Sequence, residues 1–427
     1  MRRVRPVAAV VLAWVLTRVL VVGLLQGRHA WVEGDLAYFA ASLEAVDERG
    51  LGATLVEYPL PGVVVVALPW LLATVLGGVE AYGDVVLVLS LAADAAFTAV
   101  LASVPGRGRW AALAVWLSAV PLLGATTYAR FDLVPGVLAG VALLLLPRRP
   151  ALAAAAGALA TGLKLWPALV LPALAARTAS RRIVLVVVTA TGLVLAGGGL
   201  VAAGWGRLLS PLTWQAGRGL QIESVAATPV MVGWALDEHT YAVAFTEHNA
   251  FEVAGPGSTE LLRAAEIGSL LALLGLVALW IAAFRAGRAL TLGTVAWLAL
   301  AAVGVFMVTS KVLSPQYLLW LLPLTAAAVA LHPGRALRAW AGLLLGVTAL
   351  TQLVFPELYG HLAGRGDLTG WAVLVLATRN VLLVVLVAWA VVAAVRGVSA
   401  AARSSASRPV RRGTSTAACG GGPTTRA

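Results

Sequence analysis

The sequence predicts an all-α integral membrane protein that crosses the bilayer about twelve times. Of its 427 residues, 60% are hydrophobic and 12% are charged, whereas a soluble domain carries about twice that charged fraction. Apolar runs of roughly 18 residues, the length that crosses the hydrocarbon core, recur along the chain. These runs are continuous and do not alternate, which argues against a membrane β-barrel.

The positive charges mark the loops predicted to stay inside the cell. The net charge is +12, and the arginines gather in short segments that contain no acidic residue. This is the positive-inside pattern of a membrane protein, so we predict no nucleic-acid partner. Both termini are predicted to be cytoplasmic in a multi-pass protein of the cell membrane. The clusters are Arg2, Arg3 and Arg5; Arg107 and Arg109; Arg148 and Arg149; Arg177, Arg181 and Arg182; Arg285 and Arg288; Arg335 and Arg338; and the tail from Arg396.

The apolar runs and basic clusters together define the order of the segments. Residues 151–176 are flanked by arginines at both ends, so they must enter the membrane and return, as two short helices that meet near Lys164. The segment 60–79 is interrupted by Pro61 and Pro69, and we expect it to be re-entrant or to lie along the surface. The other predicted spans are 7–26, 85–104, 110–127, 133–147, 183–203, 264–284, 290–309, 317–332, 338–355 and 371–395.

Residues 1–395 are predicted to form one transmembrane domain whose site lies in the outer loops. The first outer loop covers 27–58, and within it 35–46 has the apolar spacing of a helix that lies along the interface. A longer outer loop covers 204–262. The tail 396–427 is rich in Ser, Gly, Thr and Arg, and we expect it to be disordered and cytoplasmic.

Asp35 is the first candidate for a catalytic residue. It lies in the first outer loop, in a region that is otherwise mostly apolar. A carboxylate at a membrane surface beside lipid is partly desolvated, which raises its basicity and suits a general base. Asp35 would also suit the N-terminal cap of a helix over 36–46, a role that does not exclude catalysis.

The outer loops collect further polar residues that suit a phosphate-bearing substrate. Lysine and arginine side chains are common phosphate ligands, so these residues and Asp35 indicate a base and a phosphate site facing outward. Asp132 is alternatively expected to form an ion pair with Arg130. Gln221 and Glu223 are alternatively expected to hold the long loop in place. The residues predicted to bind substrate are Tyr38, Glu57, Tyr58, Arg130, Asp132, Lys164, Arg218, Gln221, Glu223, Lys311, Gln316 and Tyr317.

Other residues have structural expectations. Charges inside a membrane are costly and usually paired, so we expect helix–helix pairs for the charges that lie within predicted spans, namely Arg18, Asp94, Glu266 and Arg379. The aromatic residues Trp166, Trp214 and Trp234 are expected to be interfacial anchors more than sugar-stacking platforms. The histidines show no metal-ligand spacing, so no metal site is predicted.

Six short stretches spread over residues 34–320 carry a family resemblance. They are Gly34-Asp35 with Tyr38, Glu57-Tyr58-Pro59-Leu60-Pro61, Arg130-Phe131-Asp132, Gly162-Leu163-Lys164-Leu165-Trp166-Pro167, Gly219-Leu220-Gln221-Ile222-Glu223-Ser224, and Ser310-Lys311-Val312-Leu313-Ser314-Pro315-Gln316-Tyr317. In this order, they resemble the polytopic GT-C glycosyltransferases, in particular glycosyltransferase family 87. That family includes mycobacterial α-1,2-mannosyltransferases that use polyprenyl-phosphate mannose.

The resemblance implies a GT-C-type helical bundle with its active site in the outer-face loops. It makes Asp35 the general base that deprotonates an acceptor hydroxyl in an inverting displacement. Lys164, Lys311 and Arg218 become candidate partners of the lipid phosphate that leaves. The implied substrates are a polyprenyl-phosphate sugar, with mannose favoured by the family, and a glycolipid or cell-envelope glycan; membrane lipid is the surrounding partner. No cofactor and no obligatory metal are implied. The family often has Tyr-Pro-Pro where this chain has Tyr58-Pro59-Leu60-Pro61, which alters the loop shape but not the class.

Two other classes remain open at the level of sequence. A transporter or lipid flippase would suit twelve spans with charges inside the membrane, but should show inverted repeats and binding residues near the midplane. We find no such repeat, and the polar clusters lie on one face. A glycan polymerase or ligase would use arginines in large outer loops, for which Arg207, Arg218 and Arg263 are available.

Overall fold

The structure is a computed structural model that describes residues 4–237 and 239–406. The first half of the chain contains α1 (Val4–Gln26), α2 (Gly34–Glu44), α3 (Val46–Arg49), α4 (Leu60–Leu76), α5 (Tyr82–Ser103), α6 (Gly108–Leu123), α7 (Leu133–Leu145), α8 (Pro150–Leu163), α9 (Leu171–Ala176) and α10 (Thr178–Ala216). The second half contains α11 (Thr228–Leu236), β1 (Ala242–Thr246), β2 (Ala250–Ala254), α12 (Ser258–Arg285), α13 (Leu292–Thr309), α14 (Leu318–Leu331), α15 (Arg335–Gln352), α16 (Tyr359–Ala363) and α17 (Thr369–Ala406).

The helices confirm an all-α membrane protein. Within the two described ranges, eight helices are long and apolar enough to cross a membrane, namely α1, α5, α6, α10, α12, α13, α15 and α17. Further apolar helices are shorter, among them α4, α7, α8 and α14. The multi-pass character is therefore shown. A count of about twelve spans is not confirmed, because it requires several of the shorter helices to cross as well.

The predicted spans all fall on helices, and the differences lie at helix ends. Helix α10 continues to Ala216, so the first part of the predicted outer loop 204–262 is helical. Gly204 has φ 76°, a left-handed conformation that glycine adopts without a Cβ penalty, and it bends α10 there. Helix α17 continues to Ala406, so residues 396–406 are helical and not a disordered tail. The rest of that tail, 407–427, lies outside the described residues.

The predicted turn at Lys164 is present. Helix α8 ends at Leu163, Lys164 has the extended values φ −152° and ψ 142°, and α9 follows a short 3₁₀ turn over Trp166–Leu169. The extended backbone of Lys164 separates the two short helices at the tip of the helical hairpin. The prediction of two short helices meeting near Lys164 therefore agrees with the structure.

Helix α4 joins two points at the same end of the bundle. Its first turn packs on the end of α8, where a Cβ added to Gly62 would lie 2.3 Å from the carbonyl oxygen of Leu163. Farther along, the Val66 carbonyl accepts a hydrogen bond of 3.3 Å from Tyr82 at the start of α5. That start also lies beside Glu33 in the first outer loop. This path suits the expected surface-lying segment over 60–79 better than a full crossing.

The basic loops gather at the opposite end of the bundle. Gly108 begins α6 against the end of α14, where an added Cβ would lie 2.5 Å from the carbonyl oxygen of Ala330. Between α9 and α10, the Thr178 amide donates to the Gly287 carbonyl at 3.2 Å. These contacts bring the segments that contain the arginine clusters to one side, as the positive-inside pattern requires.

The pair Arg18 and Asp94 joins α1 to α5 inside the bundle. The Arg18 Nε atom lies 2.7 Å from Asp94 Oδ2, and both side chains are almost fully buried. The same carboxylate accepts hydrogen bonds from Trp14, Trp116 and Tyr128 at 3.0, 2.7 and 2.8 Å. The expected pairing of these two charges is confirmed, and its hydrogen bonds satisfy the carboxylate.

Replacing Asp94 by asparagine is expected to destabilise the fold strongly. The change leaves the Arg18 guanidinium buried without a counter-charge, and removing one member of a buried pair costs about 3–5 kcal/mol. Thermal unfolding in detergent measures the effect as a lower Tm. The matched control is Asp84→Asn, on the same helix but exposed, which should leave Tm unchanged. Equal Tm values for the two variants would contradict a stabilising role for the pair.

Candidate active site

A cavity of about 150 Å³ opens between the loops at the end of the bundle away from the arginine clusters. Its wall brings together predicted residues that are far apart in the sequence. Asp132 and Lys311 do not line it. The predicted site residues in its wall are Asp35, Tyr38, Glu57, Tyr58, Arg130, Lys164, Arg218, Gln221, Glu223, Gln316 and Tyr317.

Asp35 lies in the first turn of α2 and pairs with Arg130. The distance from Asp35 Oδ2 to Arg130 Nη1 is 3.2 Å, and the Asp35 side chain is 26% exposed. Arg130 is held by a 2.9 Å hydrogen bond to the Val32 carbonyl and lies over the Phe355 ring. Helix α2 begins at Gly34, and no side chain caps it, so the capping role for Asp35 is wrong. The apolar surroundings expected for Asp35 are replaced on one side by the guanidinium of Arg130.

Asp132 holds Lys164 in position from behind the wall. Both Asp132 carboxylate oxygens accept hydrogen bonds of 2.8 Å from Lys164 Nζ, and Oδ1 also accepts one of 2.6 Å from Trp320. Asp132 is 1% exposed. The alternative pair with Arg130 is wrong, because Arg130 pairs with Asp35. Direct substrate contact by Asp132 is likewise replaced by a role in positioning Lys164.

Tyr38 and Glu57 form a polar pair on another part of the wall. Burial raises the pKa of Glu57 above the ordinary value of glutamate, although the Tyr38 hydroxyl, Lys164 and Arg207 act in the opposite direction. Burial, followed by the Glu57 charge, also raises the pKa of Tyr38. The Glu57 Oε2 atom is buried and has no hydrogen-bond partner among the described residues. Glu57 therefore presents a free acceptor atom beside Lys164.

The raised pKa of Glu57 gives a prediction for stability against pH. An acid whose pKa is higher in the folded than in the unfolded protein does not lower stability at a pH below both pKa values. Stability is lost as the pH rises through the pKa of the folded state, because the charged form is disfavoured there. Glu57→Gln is therefore expected to have a higher Tm than the wild type at about pH 8 and the same Tm at about pH 4. Thermal unfolding across this range measures the difference. A lower Tm of the variant at the higher pH would contradict it.

Arg207, which follows the bend of α10, holds the loop that carries Glu57 and Tyr58. Its guanidinium donates to four carbonyls of that loop, and the side chain of the nearby Ser210 donates to a fifth, at 2.7 Å. Arg207 is 4% exposed. The acceptors of Arg207 are the carbonyls of Leu51, Thr54, Leu55 and Tyr58, at 3.3, 3.3, 3.1 and 2.9 Å. The polymerase interpretation used Arg207 as a substrate ligand, whereas its bonds are all internal.

Arg207→Met is expected to loosen the loop over 51–58. The change leaves several buried carbonyls without donors, at about 1–3 kcal/mol for each group that water cannot reach. Limited proteolysis should cut this loop faster in the variant, and Tm should fall. Arg182→Met, at the exposed other end of α10, is the matched control. Unchanged proteolysis of the loop would contradict the assignment.

The segment 218–224 forms one wall and is fixed by hydrogen bonds. The Gln221 amide donates to the Lys311 carbonyl at 3.1 Å, and Gln221 Oε1 accepts from the Leu313 amide at 2.8 Å. Gln221 therefore pins this segment to the loop that follows α13, and it lines the cavity as well. The position of Gln221 is compatible both with substrate binding and with holding the long loop in place.

Glu223 joins the same segment to α17. Its Oε2 atom lies 3.0 Å from Arg379 Nη2, and Asn380 Nδ2 donates to the Glu223 carbonyl at 3.3 Å. Burial raises the pKa of Glu223 to about 7, although the neighbouring Arg379 lowers it. Arg379 is paired as expected, but with a residue of the loop before α11 and not with another helix. Glu223 both lines the cavity and anchors its wall.

Arg218 differs from the other cations of the cavity wall. Lys164 pairs with Asp132, and Arg130 pairs with Asp35. Arg218 has no carboxylate partner in the described part of the chain, and its buried Nε atom has no hydrogen-bond partner there. An arginine in a cavity with unused donors is suited to bind an anion such as a phosphate.

Lys311 lies outside the cavity. Its Nζ atom donates to Glu266 Oε1 at 2.8 Å and to the Ala216 carbonyl at 3.0 Å. Glu266 is therefore paired, but with a lysine of the loop after α13 and not with another helix as expected. Lys311 borders a neighbouring groove and not the cavity, and its contact with substrate stays a prediction.

That groove, of about 380 Å³, runs beside the cavity between α10, α12 and α13. It shares four lining residues with the cavity, namely Glu57, Lys164, Gln215 and Tyr317. Most of its remaining surface is apolar, and includes Leu165, Trp166, Leu212, Phe306, Val312 and Trp320. An apolar groove that ends at Lys164 suits a ligand with a lipid chain and a polar head.

The sequence missed the hairpin β1–β2 and several aromatic side chains of the site. His248, Asn249 and Ala250 from the hairpin line the cavity, as do Trp214, Phe355 and Tyr359. The anchor role expected for the tryptophans is not what the structure shows. Trp166 stacks on Trp320 at 5.0 Å between ring centroids, and Trp234 is buried. The signal available for the hairpin was the polar stretch Glu247-His248-Asn249 between two short runs that contain Val and Phe.

Within residues 4–237 and 239–406, no group of three or more His, Cys, Asp and Glu side chains could hold a metal ion. The prediction that the reaction needs no metal is tested by experiment below.

Part of the sequence matches the model of a known protein family. The sequence model of glycosyltransferase family 87 matches residues 56–235, which include Glu57, Tyr58, Arg130, Lys164 and Arg218. Asp35 and the loop over 310–317 lie outside the match. No curated protein matches the chain. The match covers less than half of the chain, and together with the spanning helices it indicates a similarity to the membrane glycosyltransferases of glycosyltransferase family 87.

Proposed function

We propose that the protein transfers mannose from a polyprenyl-phosphate donor to a glycolipid or cell-envelope glycan on the outer face of the membrane. One observation carries this proposal. The cavity combines the carboxylate of Asp35 with the unpaired cation of Arg218, and it shares a wall with an apolar groove. Sugar transfer from a lipid phosphate requires a base, a site for the phosphate anion and a site for the lipid chain.

The donor is proposed to bind with its polyprenyl chain along the groove and its phosphate at the shared wall. The aromatic and aliphatic side chains of the groove would contact the chain, because apolar surface is favourably removed from water. Lys164 would contact the phosphate at the junction, oriented by Asp132. Arg218 would contact the phosphate oxygens with its unused donors.

The reaction is a single displacement at the anomeric carbon. The acceptor oxygen forms a bond to that carbon while the bond from the carbon to the phosphate oxygen breaks, and the electron pair leaves with the phosphate. Asp35 takes the proton of the acceptor hydroxyl. The donor is a phosphodiester, so the departing polyprenyl monophosphate gains a negative charge, which Arg218 and Lys164 stabilise.

The arrangement of charge supports an outward-facing cavity. The end of α17 meets the start of α13, where a Cβ added to Gly397 would lie 2.8 Å from Thr294, so α17 ends on the side away from the cavity. The arginine loops lie on that side, and such loops remain in the cytoplasm. This rule supports the proposal that both termini are cytoplasmic and that the cavity faces outward from the cell membrane.

The choice of mannose and of a glycan acceptor depends on the family resemblance. The proposal is tested by adding labelled polyprenyl-phosphate mannose, polyprenyl-phosphate glucose or GDP-mannose to the purified protein with a membrane glycolipid extract. Label is expected to enter glycolipid from polyprenyl-phosphate mannose only, and equally with EDTA present. Transfer from GDP-mannose would contradict a lipid-phosphate donor, and loss of transfer with EDTA would contradict the metal-free mechanism.

A further inference from the structure

The tip of the hairpin β1–β2 reaches the cavity that contains Asp35. The strands pair from Ala242 with Ala254 down to Thr246 with Ala250, and the turn between them places His248, Asn249 and Ala250 in the cavity wall. The φ of Asn249 is 52°, a left-handed conformation that asparagine adopts more readily than most residues. The turn is thus built to present these side chains.

The hairpin is fixed to the part of the wall that carries Arg218 and Glu223. The Ile222 amide donates to the Phe251 carbonyl at 3.1 Å, and the Val253 amide donates to the Leu220 carbonyl at 2.9 Å. The adjacent Gly219 amide also donates to Glu252 Oε1, at 3.1 Å. Segment 218–224 therefore lies beside β2 and forms one antiparallel bridge with it, between Gln221 and Glu252. This contact sets the position of the tip relative to the phosphate site.

The tip combines an aromatic surface with unused polar atoms. The His248 ring lies edge-on to Trp214, with 5.0 Å between the centroids. His248 Nδ1 is buried and has no hydrogen-bond partner among the described residues, and the nearest carboxylate oxygen, of Glu252, is 3.8 Å away. Asn249 is exposed. An aromatic ring beside imidazole and amide groups suits a pyranose, which has an apolar C–H face and a rim of hydroxyls.

These residues belong to the cavity and not to the groove. The groove shares Glu57, Lys164, Gln215 and Tyr317 with the cavity, but Trp214, His248 and Asn249 do not line it. A donor whose lipid lies in the groove therefore reaches the cavity from the Lys164 side. The hairpin tip lines the part of the cavity that the groove does not share, and Asp35 and Arg218 line the same part. The acceptor hydroxyl must reach Asp35 in this part.

We infer that Trp214, His248 and Asn249 form a subsite for a hexopyranose of the acceptor. This inference rests on the proposed function, because it assigns one part of the cavity to the acceptor and the other to the donor. Trp214 contributes a surface for the C–H face, and His248 and Asn249 contribute hydrogen bonds to hydroxyls. The hairpin thereby determines which glycan is accepted without taking part in the chemistry.

The kinetic test uses His248→Ala and Trp214→Phe in the full-length protein, with labelled polyprenyl-phosphate mannose and octyl α-mannoside. The half-saturating acceptor concentration is expected to rise about tenfold, while that of the donor stays unchanged. Glu247→Gln, on the same turn but outside the cavity wall, is the matched control. A rise in the donor value, or an acceptor value equal to the wild type, would overturn the subsite. Absence of transfer by the wild type would count against the proposed function instead.

A binding test does not depend on catalysis. Cys419 is the one cysteine of the chain, so Cys419→Ser provides a thiol-free background for Asn249→Cys or for the control Glu247→Cys. Both proteins are labelled with a maleimide in phosphatidylcholine vesicles, with methyl α-mannobioside or triethylene glycol added. The mannobioside is expected to slow labelling several-fold in the Asn249→Cys protein only. Equal labelling rates with both additives, or equal protection of both thiols, would overturn the subsite even if transfer occurs.

Discussion

Asp35→Asn is expected to reduce sugar transfer by about 10²–10⁴-fold, the usual contribution of a general base. Asparagine keeps the size of the side chain and can still accept a hydrogen bond from Arg130, which lies 3.2 Å from the Asp35 carboxylate in the wild type. It cannot take the proton of the acceptor hydroxyl. The loss should therefore appear in kcat, while the donor still binds.

The effect is measured with labelled donor at saturating acceptor, together with donor binding by the same variant. Asp47→Asn is the matched control, because Asp47 is an exposed acid just after the same helix and does not line the cavity. The control should transfer at the rate of the wild type. An Asp35→Asn protein that transfers at the wild-type rate would remove the proton-accepting role from Asp35.

Arg218→Gln is expected to lower kcat by about 10²–10³-fold, as the loss of one group that stabilises transition-state charge does. The KM for the donor should also rise, because Arg218 contacts the donor phosphate before the reaction. Arg218→Lys keeps the charge but loses the planar fork of donors, so its kcat should lie between that of the wild type and that of Arg218→Gln.

Transfer kinetics with varied donor measure both quantities. Arg263→Gln changes an exposed arginine on α12 outside the cavity wall and should behave as the wild type. A larger loss for Arg263→Gln than for Arg218→Gln would favour a different anion site. Unchanged kcat with a raised KM for the acceptor would mean that Arg218 binds the acceptor and not the donor phosphate.

The spans were predictable because a bilayer imposes a minimum length on an apolar helix. A minimum length does not say where a helix ends once it has left the bilayer, so the helix ends were not predictable. The bend at Gly204 lets α10 continue to Ala216, beyond the predicted end at 203, and nothing in the hydropathy of that region marks the end. The turn at Lys164 could be predicted, because arginines on both sides require the chain to return.

The site residues were predictable as a set, but their partners were not. Polar residues in apolar outer loops are few, so most of those chosen do line one cavity. Whether Asp132 pairs with Arg130 or with Lys164 depends on how α7 meets α8, which the sequence spacing does not determine. Lys311 was predicted to bind substrate, and the structure places it in the neighbouring groove, where it pairs with Glu266 on α12.

Arg207 shows the limit of reasoning by residue type. An arginine near an outer loop suggests a substrate ligand, yet its donors are used by backbone carbonyls over 51–58. The hairpin that contains His248 was missed, because two short strands with mixed alternation give a weak signal. Both features depend on contacts between distant segments.

The most direct test of the account is to identify what happens to the labelled sugar in vesicles that contain the purified protein. Labelled polyprenyl-phosphate mannose is supplied with a glycolipid extract, and the products are separated and their anomeric configuration is determined. The expected result is mannose covalently attached to glycolipid with inverted configuration in the wild type, and about 10²–10⁴-fold less transfer in Asp35→Asn. Retained configuration, or unchanged donor moved across the bilayer without transfer, would contradict it.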